Sequence, residues 1–284
     1  MHKLRNERSW HFISGLPRSG STLLAAILRQ NPRFHADISS PLHGICGGLI
    51  QQVSAGREAA TLVDQPMRKR LVRGLFEGFY GELNAPVVFD TNRGWSAEIG
   101  LLKDLFPAAK VIACVRSLAW IMDSLERLYQ ANPYEATRLF QHVGCRSTVY
   151  SRLEPLAQHD QLVGYAWSAL RQAFYGEHAD QLLIVDYEIL VKEPGQTMRL
   201  IYQFIDEDYF DHDFSNLQFE SSEFDRLLGV PSLHSVRSKV QWSERPSILP
   251  PDLIKKFSAL DFWYDTRGSQ AFVISPSRSQ LRSG

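Results

Sequence analysis

The chain has 284 residues, of which 44% are hydrophobic and 22% are charged, and its 31 Lys and Arg residues balance 31 Asp and Glu residues. This composition indicates a globular protein with a sizeable core. The neutral net charge argues against a nucleic-acid-binding or membrane-surface protein, which usually carries a basic excess. The three cysteines include no CxxC pair, so we expect a cytoplasmic protein without a disulfide framework or a metal site.

Four short apolar runs predict buried strands, and a helical pattern follows each of them. The runs span residues 10–14, 87–89, 111–115 and 182–185. Continuous apolar strands that alternate with helices are typical of a parallel sheet covered on both faces. Because ligands bind beyond the carboxyl ends of such strands, we expect the functional side chains directly after these runs.

Two longer regions complete the predicted organisation of the chain. Residues 132–178 are predicted as a helical insertion, and residues 215–265 form an irregular C-terminal region. The polar tail after Pro276 is expected to be frayed. With no repeat or long linker, residues 1–284 are predicted to form a single domain.

The first strand leads into a glycine-bearing loop, in which Gly15 and Gly20 are followed by Ser21 and Thr22. This spacing nearly matches the Walker A pattern, but Ser21 stands in place of the lysine. Glycines allow successive backbone amides to surround an oxyanion, and the following helix adds its N-terminal dipole. Arg18 supplies the nearby cation, so the loop suits a mixed anhydride of phosphate and sulfate better than ATP. The alternative is a strand–turn–helix unit without a ligand.

The run from Pro17 to Leu24, with the sequence Pro-Arg-Ser-Gly-Ser-Thr-Leu-Leu, resembles the 5′-phosphosulfate loop of PAPS-dependent sulfotransferases. It is most similar to the form found in tyrosylprotein and related bacterial sulfotransferases. The resemblance implies a P-loop-like central parallel β-sheet flanked by helices, PAPS as the co-substrate and PAP as the product. The donor-binding residues that it implies in this loop are Pro17, Arg18, Ser19, Gly20, Ser21 and Thr22.

A second candidate anion site follows the third strand. Arg116 directly follows the run 111–115, and Ser124 follows eight residues later on the predicted helix. This spacing resembles the family's 3′-phosphate motif, and two separated anion sites would match the two ends of PAPS. The alternative for Arg116 is an ion pair with a surface carboxylate.

Further candidates follow the second and fourth strands and lie in the C-terminal region. The resemblance implies that Arg93 is a cation beside the phosphosulfate bridge, where it would stabilise the leaving phosphate oxygen. Tyr187 flanks the nucleotide or packs at the sheet edge. Arg237 and Lys239 lie in a loop that covers the donor or is simply a solvated basic loop.

The general base is open because the sequence departs from the tyrosylprotein form. Serines 39 and 40 occupy the stretch where that form carries an acidic pair. His43 is the local candidate, since imidazole titrates near neutral pH. Asp37 and Glu98 are the alternatives.

The preferred hypothesis is transfer of a sulfuryl group from PAPS to a hydroxyl or amine of a small-molecule or peptide acceptor, without a metal. A P-loop nucleotide kinase is the second hypothesis, although Ser21 in place of lysine argues against it. A noncatalytic module that binds PAPS or PAP is the third. The acceptor is not identified by the sequence, no nucleic-acid or membrane partner is expected, and a homodimer is left open.

Overall fold

The computed structural model describes residues 8–131, 147–220, 222–228 and 233–276. In these ranges six strands form one sheet in the order β2–β3–β1–β4–β5–β6, and each neighbouring pair is parallel. This arrangement confirms the predicted α/β fold. The strands are β1 (Ser9–Gly15), β2 (Phe34–Ala36), β3 (Val87–Thr91), β4 (Val111–Val115), β5 (Leu182–Asp186) and β6 (Phe272–Ile274).

Helices cover both faces of this sheet. Short 3₁₀ turns are interspersed at Glu58–Thr61, Arg93–Glu98, Ala179–Gln181 and Phe262–Tyr264. The helices are α1 (Ser21–Leu28), α2 (Leu42–Gln52), α3 (Gln65–Phe79), α4 (Ile99–Leu105), α5 (Leu118–Ala131), α6 (Val149–Leu156), α7 (Leu162–Tyr175), α8 (Tyr187–Lys192), α9 (Pro194–Ile205), α10 (Ser222–Leu228) and α11 (Pro251–Ser258).

Strand residues alternate between two apolar cores, one on each face of the sheet. Phe12 and Ala113 belong to the larger core, whereas Ile13 and Ile112 belong to the smaller one, and all four are fully buried. Because successive side chains of a strand point to opposite faces, burial of both faces requires an unbroken apolar run. This is why the four central strands could be predicted from the sequence.

The two edge strands were not predicted. β2 and β6 contain three residues each, and each pairs with only one neighbour in the sheet. Such short segments carry almost no periodic signal, and their extended conformation depends on the strand beside them. The sequence therefore predicted the centre of the sheet without its edges.

The predicted insertion is helical where the structure describes it, with α6 and α7 after residue 147. Residues 132–146 and the tail after Pro276 lie outside the described ranges. Backbone hydrogen bonds pair the two parts of the irregular C-terminal region: Leu217 donates to Ser238 at 2.6 Å and Val240 to Phe214 at 2.8 Å. No helix in the described ranges is long and apolar enough to cross a bilayer.

Candidate functional site

The phosphate loop, residues 15–22, follows the carboxyl end of β1. Gly15, Arg18 and Gly20 have positive φ values of 110°, 58° and 97°. A Cβ atom on Gly15 would lie 2.1 Å from the carbonyl oxygen of Cys114 on β4. Only glycine fits at this close approach, which brings the start of the loop against the neighbouring strand.

The N-terminus of α1 opens from this loop without a capping side chain. Gly20 is the N-cap residue, and the first turn contains no acidic side chain. Backbone amides at such a helix start lack intrahelical partners and favour an anion. Ser19 is committed elsewhere, because its buried hydroxyl donates to the carbonyl oxygens of Leu16 at 2.5 Å and Cys114 at 2.8 Å.

A cavity of about 480 Å³ lies above the phosphate loop, at the carboxyl ends of β1, β3 and β4. The structure brings eleven of the predicted site residues together in its lining, but Ser19 and His43 are not among the lining residues. Those eleven are Pro17, Arg18, Gly20, Ser21, Thr22, Arg93, Arg116, Ser124, Tyr187, Arg237 and Lys239.

Arg18 connects three distant parts of the chain at the floor of this cavity. Its Nε atom donates to the Ser124 hydroxyl oxygen at 3.1 Å, and its guanidinium also donates to the carbonyl oxygen of Leu233. Ser124 was predicted to contact a ligand with its hydroxyl group. In the structure that hydroxyl orients Arg18, whose guanidinium is the better partner for an anion.

Arg116 extends from the end of β4 across an aromatic surface. Its guanidinium carbon lies 4.6 Å from the ring centroid of Tyr187 and 5.8 Å from that of Trp120. Tyr187 also closes against the phosphate loop, because a Cβ atom on Gly20 would lie 2.7 Å from its Cδ2 atom. The Tyr187 ring is therefore a spacer between the loop and Arg116.

Arg93 begins the 3₁₀ turn after β3, and hydrogen bonds hold its backbone in place. Ser14 donates from its hydroxyl to the Arg93 carbonyl oxygen at 2.9 Å, while the Asn92 side chain accepts from the Gly94 amide at 2.9 Å. The buried carboxylate of Asp90 accepts from Trp95 Nε1 at 2.6 Å. A rigid turn thus carries the Arg93 side chain to the cavity.

The cavity is strongly electropositive. Burial lowers the pKa of Arg18, Arg93 and Arg116 from the ordinary arginine value, and the neighbouring Arg116 charge lowers the pKa of Arg18 further. Within the described ranges none of these three guanidiniums forms an ion pair. Arg18 and Arg116 are partly buried cations that repel each other, and an anionic ligand stabilises such a pair.

The predicted general bases lie beside the cavity. The His43 ring packs edge-on against Trp95 at 5.1 Å between centroids and sits directly over Gly94, whose Cβ would lie 2.4 Å from it. Asp37 is exposed and accepts from the Ile38 amide at 2.7 Å. Neither these two residues nor Glu98 lines the cavity, and their role as a base stays a prediction.

Sequence reasoning missed most of the lining residues of the C-terminal segment, residues 233–250. His234, Trp242 and Arg245 line the cavity, and the Trp242 ring lies 6.5 Å from that of Tyr187. The only sequence feature that could have indicated these residues was a tryptophan and an arginine within an otherwise polar stretch. Their place in the site depends on a fold-back over more than 100 residues, which local patterns do not report.

The fold is that of an α/β protein with an arginine-lined cavity between a strand and the following helix. The model of the sulfotransferase family matches residues 11–211. The chain therefore belongs to the sulfotransferase family and is a transferase that moves a sulfuryl group. A comparison with curated proteins found no significant match.

Two solved structures share this fold at low sequence identity, and a third is similar over most of its length. The sulfotransferase domain from the curacin biosynthetic pathway is 16% identical, with a TM-score of 0.50 over 92% of this chain and 94% of that chain. The sulfotransferase from Alicyclobacillus acidocaldarius is also 16% identical, with a TM-score of 0.50 over 78% of this chain and 92% of that chain. The sulfotransferase domain from the olefin synthase of Synechococcus PCC 7002 is 20% identical, with a TM-score of 0.49 over 93% and 98%.

Proposed function

We propose that this enzyme transfers the sulfuryl group of PAPS to an acceptor hydroxyl or amine and releases PAP. One observation carries the proposal: three arginines without ion-pair partners in the described ranges converge on one cavity above the phosphate loop. PAPS carries a 5′-phosphosulfate and a 3′-phosphate, so it has two separate anionic ends. A cavity with several cations on different elements matches such a donor better than a single anion.

Each arginine has a distinct place in this proposal. The amides at the start of α1 and the Arg18 guanidinium bind the 5′-phosphosulfate. Arg93, on its rigid turn, stabilises the negative charge that develops on the phosphate oxygen as the S–O bond breaks. Arg116, held over Tyr187, binds the 3′-phosphate.

The C-terminal segment covers the donor in this proposal. Arg237 and Lys239 are exposed and line the cavity, and they add positive charge beside the donor. Ser124 acts through Arg18, whose Nε donates a hydrogen bond to the Ser124 hydroxyl oxygen. Because arginines supply the charge that Mg²⁺ supplies at a triphosphate site, transfer is expected to continue in EDTA.

The acceptor is proposed to enter where the lining is apolar. Ile38 and Leu162 contribute apolar side chains to the cavity, next to the polar side chain of Ser39. A small molecule with one hydroxyl on an apolar body fits this composition.

Sulfur-labelled PAPS and a panel of phenolic, alcoholic and amine acceptors test the transfer, and thermal unfolding with PAP, ATP and Mg-ATP tests the donor. PAP at 100 times its Kd should stabilise the protein by about 2.7 kcal/mol. ATP with or without Mg²⁺ should stabilise it less. Stabilisation by Mg-ATP alone would overturn the proposal in favour of a kinase. PAP binding without label transfer to any acceptor would favour the noncatalytic module.

Substitution of Arg116 tests the assigned 3′-phosphate site. A charge-assisted hydrogen bond contributes about 1.5–3 kcal/mol, so Arg116→Ala should weaken PAP binding about 10- to 100-fold in calorimetric titrations. Arg171→Ala is the matched control, because Arg171 also lies over an aromatic ring, that of Trp167 at 5.0 Å, but outside the cavity. Equal PAP affinity of both variants would show that the 3′-phosphate binds elsewhere.

A further inference from the structure

A histidine–aspartate pair lies in the C-terminal part of the cavity. The Nδ1 atom of His234 and the Oδ1 atom of Asp225 are 2.6 Å apart, and the His234 backbone amide donates to Asp225 Oδ2 at 2.8 Å. The Asp225 side chain is only 2% exposed, and the Phe224 ring packs edge-on against the imidazole at 5.3 Å. Both carboxylate oxygens thus hold one histidine, which fixes the orientation of its ring.

The imidazole faces the cations that the proposed donor site uses. His234 lines the cavity together with Arg18 and Arg93. The Arg18 guanidinium donates to the carbonyl oxygen of Leu233, the residue directly before the histidine. The ring is therefore held beside the place where the 5′-phosphosulfate is proposed to bind.

The surroundings of His234 favour its neutral form, chiefly through burial. Burial lowers its pKa from the ordinary histidine value, and the positive charges of Arg18 and Arg93 lower it further, although Asp225 opposes this shift. Since Asp225 accepts the Nδ1 proton, the lone pair of the neutral ring resides on Nε2. Within the described ranges no residue forms a hydrogen bond with Nε2. A neutral imidazole with a defined tautomer in an active-site cavity is suited to accept a proton.

We propose that His234 is the general base of sulfuryl transfer and that Asp225 is its positioning residue, an inference that rests on the proposed function. The acceptor oxygen attacks the sulfur atom, the bond between sulfur and the bridging phosphate oxygen breaks, and PAP leaves with the electron pair. The acceptor proton moves to Nε2 of His234 and is released to solvent after transfer. His43, by contrast, packs against Trp95 beside the cavity.

Steady-state transfer from PAPS measures the contribution of the base. Positioned general bases contribute about 100- to 10,000-fold, so His234→Gln should lower kcat at least about 100-fold. Asp225→Asn should lower kcat about tenfold or more, because the amide no longer selects the productive tautomer. PAP affinity should change less than about threefold in both variants, and the acidic limb of the kcat–pH profile should disappear in His234→Gln.

Acceptor acidity provides a readout that a purely structural role would not move. An acidic phenol such as 4-nitrophenol is partly ionised at neutral pH and needs little help from a base. The loss of kcat in His234→Gln should therefore be much smaller with 4-nitrophenol than with phenol. If neither phenol is a substrate, the loss of rate in His234→Gln is compared between transfer to the identified acceptor and the slow hydrolysis of PAPS by water. Both rates are measured in ordinary and in deuterated solvent.

His159→Gln is the matched control, because His159 is exposed and lies outside the cavity lining; its kcat should equal that of the wild type. Retention of kcat in His234→Gln would overturn the inference, as would a loss of PAP affinity as large as the loss of kcat. A loss of the acidic limb confined to His43→Gln would assign the base to His43. A wild-type protein that transfers no sulfuryl group would instead refute the proposed function.

Discussion

At the scale of single residues, backbone torsions shape the donor site. Arg18 is the one residue of the loop with a side chain and a left-handed φ, at 58°. Its guanidinium is anchored by Ser124 Oγ at 3.1 Å and by the Leu233 carbonyl oxygen. A non-glycine residue in this region of φ is uncommon, and here the tertiary hydrogen bonds stabilise it.

Gly20→Ala tests whether the contact between the phosphate loop and the Tyr187 ring affects stability and PAP binding. The alanine would have to adopt a φ of 97°, and its Cβ atom would lie 2.7 Å from Tyr187 Cδ2. We expect a loss of stability of about 1–2 kcal/mol from the left-handed conformation and weaker PAP binding as the Tyr187 ring moves from under Arg116. Denaturant unfolding and calorimetric titration measure the two effects.

Gly47→Ala is the control for this substitution. Gly47 lies within α2, and a Cβ atom there would meet nothing within 4 Å. Because alanine favours the helix over glycine, the variant should gain up to about 1 kcal/mol of stability with unchanged PAP affinity. Gly20→Ala with wild-type stability and affinity would show that the Tyr187 contact has no consequence.

At the scale of elements, α5 connects the site to the C-terminal segment through one buried charge. The Asp123 side chain is fully buried and accepts from Arg127 Nε at 3.0 Å and from the Ile248 amide at 2.8 Å, and it also forms an ion pair with Arg245. It directly precedes Ser124, which holds Arg18. These contacts of Asp123 therefore position α5 against the C-terminal segment.

Asp123→Ala should destabilise the protein by about 1–3 kcal/mol, because the Ile248 amide loses its acceptor while the partly exposed Arg127 and Arg245 side chains stay solvated. Asp104→Ala is the matched control: Asp104 forms an exposed ion pair with Lys69 at 2.9 Å, and such pairs contribute about 0–1 kcal/mol. Urea unfolding of both variants measures the difference. Equal losses of unfolding free energy in the two variants would mean that water satisfies the former partners of Asp123.

At the scale of the whole molecule, the strand order places the site. β1 lies between β3 and β4, so the chain leaves β1 toward β2 on one side and later crosses to β4 on the other. Helical connections diverge at such a switch point and open a crevice beyond the carboxyl ends of the strands. The phosphate loop, Arg93 and Arg116 follow β1, β3 and β4 at this crevice.

The C-terminal part of the fold introduces a pH dependence. Burial raises the pKa of Asp261 to about 7, with a further contribution from the Asp186 carboxylate, although the Leu118 amide donates to it at 2.9 Å. The folded state therefore holds a proton that the unfolded state releases near the ordinary aspartate pKa of 3.8. This proton stabilises the fold below that value, and its contribution is lost as the pH rises to 7.

Asp261→Asn carries no such proton and retains an oxygen that can accept from Leu118. Its stability relative to the wild type should therefore rise between about pH 4 and pH 7 and stay level above that range. Chemical denaturation at several pH values measures this difference. A difference independent of pH would show that Asp261 titrates near its ordinary value in the folded protein.

Local patterns in the sequence determined the central strands, the strand–loop–helix unit around Gly15 and Gly20, and the arginines 93 and 116 at strand ends. These features are readable because they arise from neighbouring residues: burial on both faces requires an apolar run, and a tight turn requires glycine. The family match to residues 11–211 is consistent with that reading. The same patterns indicated anion binding, because the loop contains Arg18, and the absence of the Walker A lysine argued against ATP.

Only the tertiary structure decided which groups meet across the chain. Arg18 and Ser124 are 106 positions apart, and the Asp123 carboxylate and the Ile248 amide are 125 positions apart. It also separated His43 from the cavity and brought His234 into it. Such contacts depend on how the chain folds back over the switch point of the sheet. Local periodicity does not encode contacts between residues so far apart in the sequence. The side-chain roles at this site therefore follow from tertiary packing rather than from the spacing of residues along the chain.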